Sequence, residues 1–152
     1  MSYQEWTTHG FGFRVDDILQ DTSITMEKVL KLAAMEPSVF EIVQEKLSWI
    51  CERDEATFDE LDISDLNEIE GDYCERGLAF ILYNVITEIP IVYADCYDAC
   101  DYILYTPTYP WQMSDKERNI TEKDVVDIFA KYIRILTDNH IAIDYYSVTN
   151  GG

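Results

Sequence analysis

Cys74, His140 and Asp144 are the residues whose types and order could support covalent catalysis. A cysteine nucleophile needs a base that takes the thiol proton and a hydrogen-bond acceptor, such as a carboxylate, that orients the base. Cys74 precedes an apolar stretch that predicts a helix, and the N-terminus of a helix favours a thiolate. The carboxylate of Glu75, the next residue, opposes that charge. The sequence therefore keeps a small cysteine hydrolase as an alternative, while the simpler interpretation makes Cys74 a buried apolar side chain.

The run DCYDACD, from Asp95 to Asp101, combines two thiols with three carboxylates. Cys96 and Cys100 could hold half of a zinc site, but two further ligands are needed and no second cluster of Cys and His follows. Calcium loops place oxygen ligands at alternate positions around a glycine, which this run lacks. The run predicts an acidic hairpin turn, and the sequence indicates no metal or other cofactor.

The segment Glu52–Glu75, called here the acidic segment, holds eleven carboxylates opposed only by Arg53, a net charge of −10. Residues 52–115 together carry −14 of the −19 of the whole chain. Such a surface does not bind nucleic acid or an anionic membrane directly, since both need basic residues. Charge that only served solubility would be spread evenly. Its concentration favours a basic protein partner, because opposite charges speed encounter and suppress wrong pairings.

Tyrosines accompany these carboxylates, since seven of the eleven tyrosines lie between Arg53 and Lys116. Carboxylates mixed with aromatic rings can match a groove that normally holds phosphates and bases, because Arg and Lys pair with either anion. Tyr83 and Tyr93 are expected in the core, whereas Tyr102 and Tyr105 are expected to be exposed. The residues predicted to bind the partner are Asp59, Glu60, Asp62, Asp65, Glu68, Glu70, Asp72, Asp95, Tyr97, Asp98, Asp101 and Tyr109.

The elements that must position these residues follow from hydrophobic periodicity. Strands are predicted over 5–13, 89–93, 102–106 and 141–148, and helices over 26–35, 39–51 and 119–138, with a further apolar helix within 71–88 after Cys74. Thr25, the pair Ser38 and Glu41, and the pair Thr121 and Asp124 are candidate N-terminal caps, and Asp16–Ser23 is expected to be a loop. Gly10 and Gly12 indicate a bulge or the close passage of another backbone.

These patterns predict one acidic globular domain, residues 1–152, of the α+β class. The element order is β-α-α-α-β-β-α-β, with about four mainly antiparallel strands and helices packed on one face. With 47% apolar residues the chain can bury a core. No apolar run approaches a membrane span and no secretory signal is visible, so a cytoplasmic location is expected. The oligomeric state is left open.

The motifs WTTHGFGF (6–13), YTPTYPWQM (105–113) and IAIDYYSVTNGG (141–152) resemble those of small acidic proteins of phages and mobile elements. In charge and size the chain is also similar to DNA-mimic inhibitors, including anti-CRISPR proteins. The resemblance implies a non-enzymatic inhibitor that occupies the nucleic-acid-binding groove of a basic partner, such as a nuclease effector. Three alternatives stay open: an immunity protein for a basic toxin nuclease, a hydrolase whose Cys74–His140–Asp144 order resembles that of papain-like enzymes, and a structural or assembly protein whose acidity is incidental.

Overall fold

The computed structural model describes residues 5–95, 100–107 and 110–151. In this part of the chain one antiparallel sheet contains β1 (Glu5–Arg14), β2 (Ile91–Asp95), β3 (Asp101–Tyr105) and β4 (Asp144–Gly151). The strands lie in the order β2-β3-β1-β4, and all pairs are antiparallel. The α+β class, the four-stranded antiparallel sheet and the element order are therefore confirmed.

Six helices accompany the sheet in the described residues: α1 (Val15–Leu19), α2 (Met26–Ala33), α3 (Pro37–Asp54), α4 (Leu78–Val85), α5 (Asp115–Arg118) and α6 (Glu122–Leu136). Short 3-10 turns span Phe58–Glu60, Ile63–Glu68 and Pro110–Gln112. The main core joins the helices to the face of the sheet that carries Phe11, Phe13 and Ile103. Phe13 and Phe129 of α6 meet edge to face at 5.2 Å.

Gly10 and Gly12 let a neighbouring backbone pass close to β1. A Cβ atom on Gly12 would lie 2.0 Å from the carbonyl oxygen of Ile103, and one on Gly10 would lie 2.6 Å from the Cβ of Leu104. The predicted close passage of another backbone at these glycines is confirmed.

The two edge strands of the sheet, β2 and β4, also come close together, with Cα atoms within 8 Å of each other. On the face away from the main core, Ala94, Leu104 and Val148 form a second small apolar cluster.

The helix caps follow the predicted chemistry at two of three places. Thr25 accepts a hydrogen bond from the amide of Lys28 (3.3 Å), and Thr121 and Asp124 form a reciprocal capping box at α6 (3.2 and 3.0 Å). The predicted box of Ser38 is wrong. Extended Glu36 is the N-cap of α3 and Pro37 its first residue, because proline is preorganised for that position. The hydroxyl of Ser38 donates to Glu36 instead (3.3 Å).

Two predicted boundaries are corrected. The expected loop after β1 begins with α1, where Val15 and Ile18 are buried and hold five residues in a helix. The helix predicted within 71–88 begins at Leu78, the first of its apolar residues, after Gly77, which has a left-handed φ of +60°. β4 begins at Asp144 rather than at residue 141. Within the described residues, no helix combines the length and apolar character that crossing a membrane requires.

Candidate partner-binding surface

The acidic segment is docked on the fold by apolar side chains. Leu66 and Ile69 are 0% and 3% exposed, and Leu61 and Ile63 pack against the same core. Phe58 is 37% exposed and contributes less. A 3-10 turn that buries these residues carries its carboxylates at fixed positions, as the sequence predicts for a segment punctuated by apolar residues.

Local hydrogen bonds hold the turn Ile63–Glu68. Asp62 accepts a hydrogen bond from the amide of Ser64 (2.9 Å), and Asp65 accepts one from the amide of Asp62 (2.9 Å). The hydroxyl of Ser64 also donates to Asp62 and is the main cause that lowers the pKa of that carboxyl. Asp62 and Asp65 therefore cap the turn as well as carrying charge.

Arg53 joins the end of α3 to the acidic segment. Its guanidinium donates to both carboxylate oxygens of Glu68 (2.6 and 3.1 Å) and of Asp54 (2.8 and 2.9 Å). The guanidinium also lies 4.8 Å from the centre of the Trp49 ring. The ammonium of Lys46 lies 4.3 Å from the same ring centre, so two cations contact this ring. These bonds hold the pKa of Glu68 and Asp54 below their usual values. Glu68 and Asp54 are therefore paired with Arg53 and are not available to a partner as free charges.

The remaining carboxylates of the acidic segment differ in availability. Glu70 lies 3.5 Å from Arg76 across an isolated β-bridge. Glu75 is 2% exposed and accepts hydrogen bonds from the amide of Tyr73 (2.8 Å) and from Asn84 (3.4 Å), so it is structural. Six exposed carboxylates form no ion pair with any described residue: Glu52, Glu55, Asp59, Glu60, Asp62 and Asp72.

Asp95 and Asp101 face each other at the ends of β2 and β3. Asp95 is exposed, whereas Asp101 is half-buried. The carboxylate of Asp101 accepts a hydrogen bond from the hydroxyl of Tyr93 (2.5 Å). The backbone amide of Asp101 donates a hydrogen bond to the carboxylate of Asp16 (3.3 Å). Burial raises the pKa of Asp101, and the bond from Tyr93 opposes the rise. Asp101 also lines a cavity of about 170 Å³ together with Ser64 of the acidic segment. The two predicted acidic stretches are therefore neighbours.

The tyrosines are placed differently from the prediction. Tyr83 and Tyr93 are packed as expected, but Tyr102 and Tyr105 are half-buried and not exposed. Tyr105 faces the main core beside Phe11, and Tyr102 packs against Tyr146 with ring centroids 5.2 Å apart and the rings tilted by 57°. Tyr73, which sequence reasoning did not select, is 67% exposed and meets Tyr83 edge to face. Tyr97, Asp98 and Tyr109 lie outside the described residues.

Cys74 is exposed, which corrects its interpretation as a buried apolar side chain. It lies in a tight turn with a left-handed φ of 64°, between the Glu70 and Arg76 strand positions. The helix that it was expected to begin starts four residues later, at Leu78. Cys74 therefore does not occupy a helix N-terminus.

His140 and Asp144 are not joined to Cys74. His140 lines a cavity of about 270 Å³ beside the end of α6, and Asp144 accepts a hydrogen bond from the amide of Tyr145 (2.8 Å). Within the described residues no hydrogen bond links the three candidates. In the same part of the chain no group of three or more His, Cys, Asp or Glu side chains could hold a metal ion.

Comparisons with family models, with curated proteins and with solved structures find no match for this chain.

Proposed function

We propose that this protein is a non-enzymatic binder that presents the acidic segment to a basic, nucleic-acid-binding partner and occupies the groove in which that partner holds nucleic acid. The observation that carries this proposal is the display of six exposed carboxylates, none in an ion pair with a described residue, on a segment that the buried side chains of Leu66 and Ile69 dock on the core. Ordered charges can match a fixed pattern of Arg and Lys, whereas a flexible acidic tail offers only diffuse attraction.

The distribution of positive charge supports a role beyond solubility. Arg53 and Arg76 each bind carboxylates of the acidic segment itself, and neither opposes the six exposed carboxylates. Residues 116–152 carry five basic and six acidic residues, so that part is nearly neutral. The excess negative charge therefore belongs mainly to one stretch of the chain, residues 52–115, which favours a complementary interface.

The test compares two variants that each lose three negative charges at exposed residues that form no described ion pair or side-chain hydrogen bond. One is Glu55→Gln/Asp59→Asn/Asp72→Asn in the acidic segment, and the control is Glu27→Gln/Glu41→Gln/Asp138→Asn elsewhere. Both retain Asp62 and Asp65, which cap the turn. Proteins captured from a lysate of the source cells are eluted with rising salt and with duplex DNA, identified by mass spectrometry, and purified for affinity measurements.

A basic protein that is released by DNA should bind the acidic-segment variant about tenfold more weakly, at roughly 0.5 kcal/mol for each exposed charge lost. The control variant should bind almost as well as the original protein, and the acidic-segment variant should show a shallower dependence on salt. Equal losses for both variants would show that only net charge matters. Such a result, or failure of DNA to release any captured protein, would contradict the proposal.

A further inference from the structure

A cavity of about 330 Å³ lies between the N-terminus of α6 and the sheet, away from the acidic segment. It is lined by the middle of β1 and the last residue of β3, whereas the cavity beside the acidic segment is lined by Val15, just after β1, and Asp101, the first residue of β3. Its volume is at the lower end of the range of about 300–1,000 Å³ that is typical of small-molecule pockets. It therefore suits a ligand of the size of one long side chain.

Three aromatic side chains line this cavity, which we call the aromatic pocket: Phe11, Tyr105 and Tyr145. The rings of Phe11 and Tyr145 are 4.8 Å apart with an interplanar angle of 43°. Phe11 is 8% exposed, while Tyr145 is 64% exposed and brings the pocket to the surface. The electron-rich faces of such rings attract cations that have lost part of their water.

Glu122 supplies the formal charge of the aromatic pocket. Glu122 is exposed and accepts a hydrogen bond from the hydroxyl of Tyr145. Among the described residues that line the pocket it is the one carboxylate, and these residues include no Lys or Arg. The α6 N-terminus contributes about half a positive charge. The full charges of Glu122 and Asp124, in the first turn of α6, outweigh it. His9 bonds Ser147 through Nδ1 (2.8 Å) on the adjacent strand.

We propose that the aromatic pocket binds a guanidinium group, with Glu122 as its ion-pair partner and the rings of Phe11, Tyr105 and Tyr145 around its flat cation. A guanidinium is planar and weakly hydrated, so it stacks on aromatic rings while two of its N–H groups donate to one carboxylate. An ammonium holds its water more tightly and fits an apolar wall less well. The group belongs either to a free small molecule or to an arginine residue of a polypeptide.

The test is an NMR titration of the isotope-labelled protein with three probes. N-acetyl-arginine amide represents an arginine residue, butylguanidine represents a free guanidino compound with the same single charge, and N-acetyl-citrulline amide is the neutral control of the same shape as the first. We expect saturable shifts at Phe11, Glu122 and Tyr145 with the two cations and none with the citrulline probe. Tighter binding of the blocked arginine indicates a polypeptide source, and tighter binding of butylguanidine indicates a small molecule.

Matched variants separate the pocket from general attraction to an acidic protein. Glu122→Gln should weaken binding about tenfold, as expected for the loss of a charge-assisted hydrogen bond. Glu27→Gln removes the same charge from the first turn of α2 and should leave affinity unchanged. Tyr145→Phe keeps the ring and should weaken binding less than Tyr145→Ala.

Shifts that do not saturate, equal binding of the citrulline probe, or equal effects of Glu122→Gln and Glu27→Gln would overturn the assignment. Because the acidic segment lies apart from the pocket, any of these results would leave its proposed function unaffected.

Discussion

Leu66 offers the most direct test of whether the acidic segment is docked. The Leu66→Ala substitution removes three carbon atoms from a side chain that is 0% exposed, a transfer cost of about 2.5 kcal/mol. The cavity left behind adds to this cost, and measured Leu→Ala losses span about 2–5 kcal/mol. Because a short 3-10 turn can relax more than the centre of a sheet, we expect the free energy of unfolding to fall by about 3 kcal/mol.

Urea denaturation followed by circular dichroism measures this loss, since guanidinium chloride would also screen the charges of the acidic segment. Phe58→Ala, in the same segment but 37% exposed, is the control and should cost about 1 kcal/mol. Hydrogen exchange at the amide of Ile69, which donates to Leu66 (2.8 Å), reports local opening. If both substitutions cost the same and exchange at Ile69 is unchanged, the segment is not held by its buried leucine and the reasoning fails.

Three further predictions follow from caps, titration and exposure. Thr121→Ala should lower the free energy of unfolding by about 1 kcal/mol, whereas Ser38→Ala, which caps nothing, should change it by less than about 0.5 kcal/mol in the same urea titration. Hydrogen bonds from Ser23 and from Thr137, at the end of α6, lower the pKa of Asp21 from 3.8 to about 2. The ionised carboxylate therefore stabilises the fold above pH 3.8, and this stabilisation is lost as the pH falls toward 2. Asp21→Asn should therefore lower the thermal midpoint at pH 6, and the two proteins should converge near pH 2. Cys74 should react with a thiol reagent in the native state, and Cys74→Ser should leave partner binding intact, which would exclude a nucleophilic role in that binding.

The long elements could be predicted because their signals are local. The apolar spacing of α6 and its capping box are contained in one stretch of chain, and the Thr and aromatic residues that indicate β1 likewise need no distant partner. Short elements lack such a signal. In α1, five residues are too few to show a period, and the burial of Val15 and Ile18 depends on contacts from elsewhere in the core.

The candidate surface was only partly predictable, because pairing and exposure depend on distant residues. The sequence placed Glu68 among the available charges, but Arg53 binds it from fifteen residues away. It placed Asp101 beside Asp95 on the surface, but Tyr93 and Asp16 enclose it. Tyr73 gave no exposure signal at all. The pattern gives the sign and concentration of the charge, and tertiary contacts then decide which carboxylates remain available.

On the proposed function, the ion pairs within the acidic segment serve to hold its backbone in place for a partner. Arg53 holds Glu68 and Asp54 in place, and the capping bonds of Asp62 and Asp65 fix the turn between them. Solubility requires only charge, which mobile side chains supply equally well. The free carboxylates of a segment docked in this way start from a fixed backbone position, so less conformational entropy is lost when they meet a partner and each contact contributes more to affinity. The docking of the acidic segment should therefore affect affinity separately from its charge. Leu66→Ala, which changes no charge, should weaken binding of a basic partner. If the segment acts by charge alone, the Leu66→Ala variant would bind that partner as well as the original protein does.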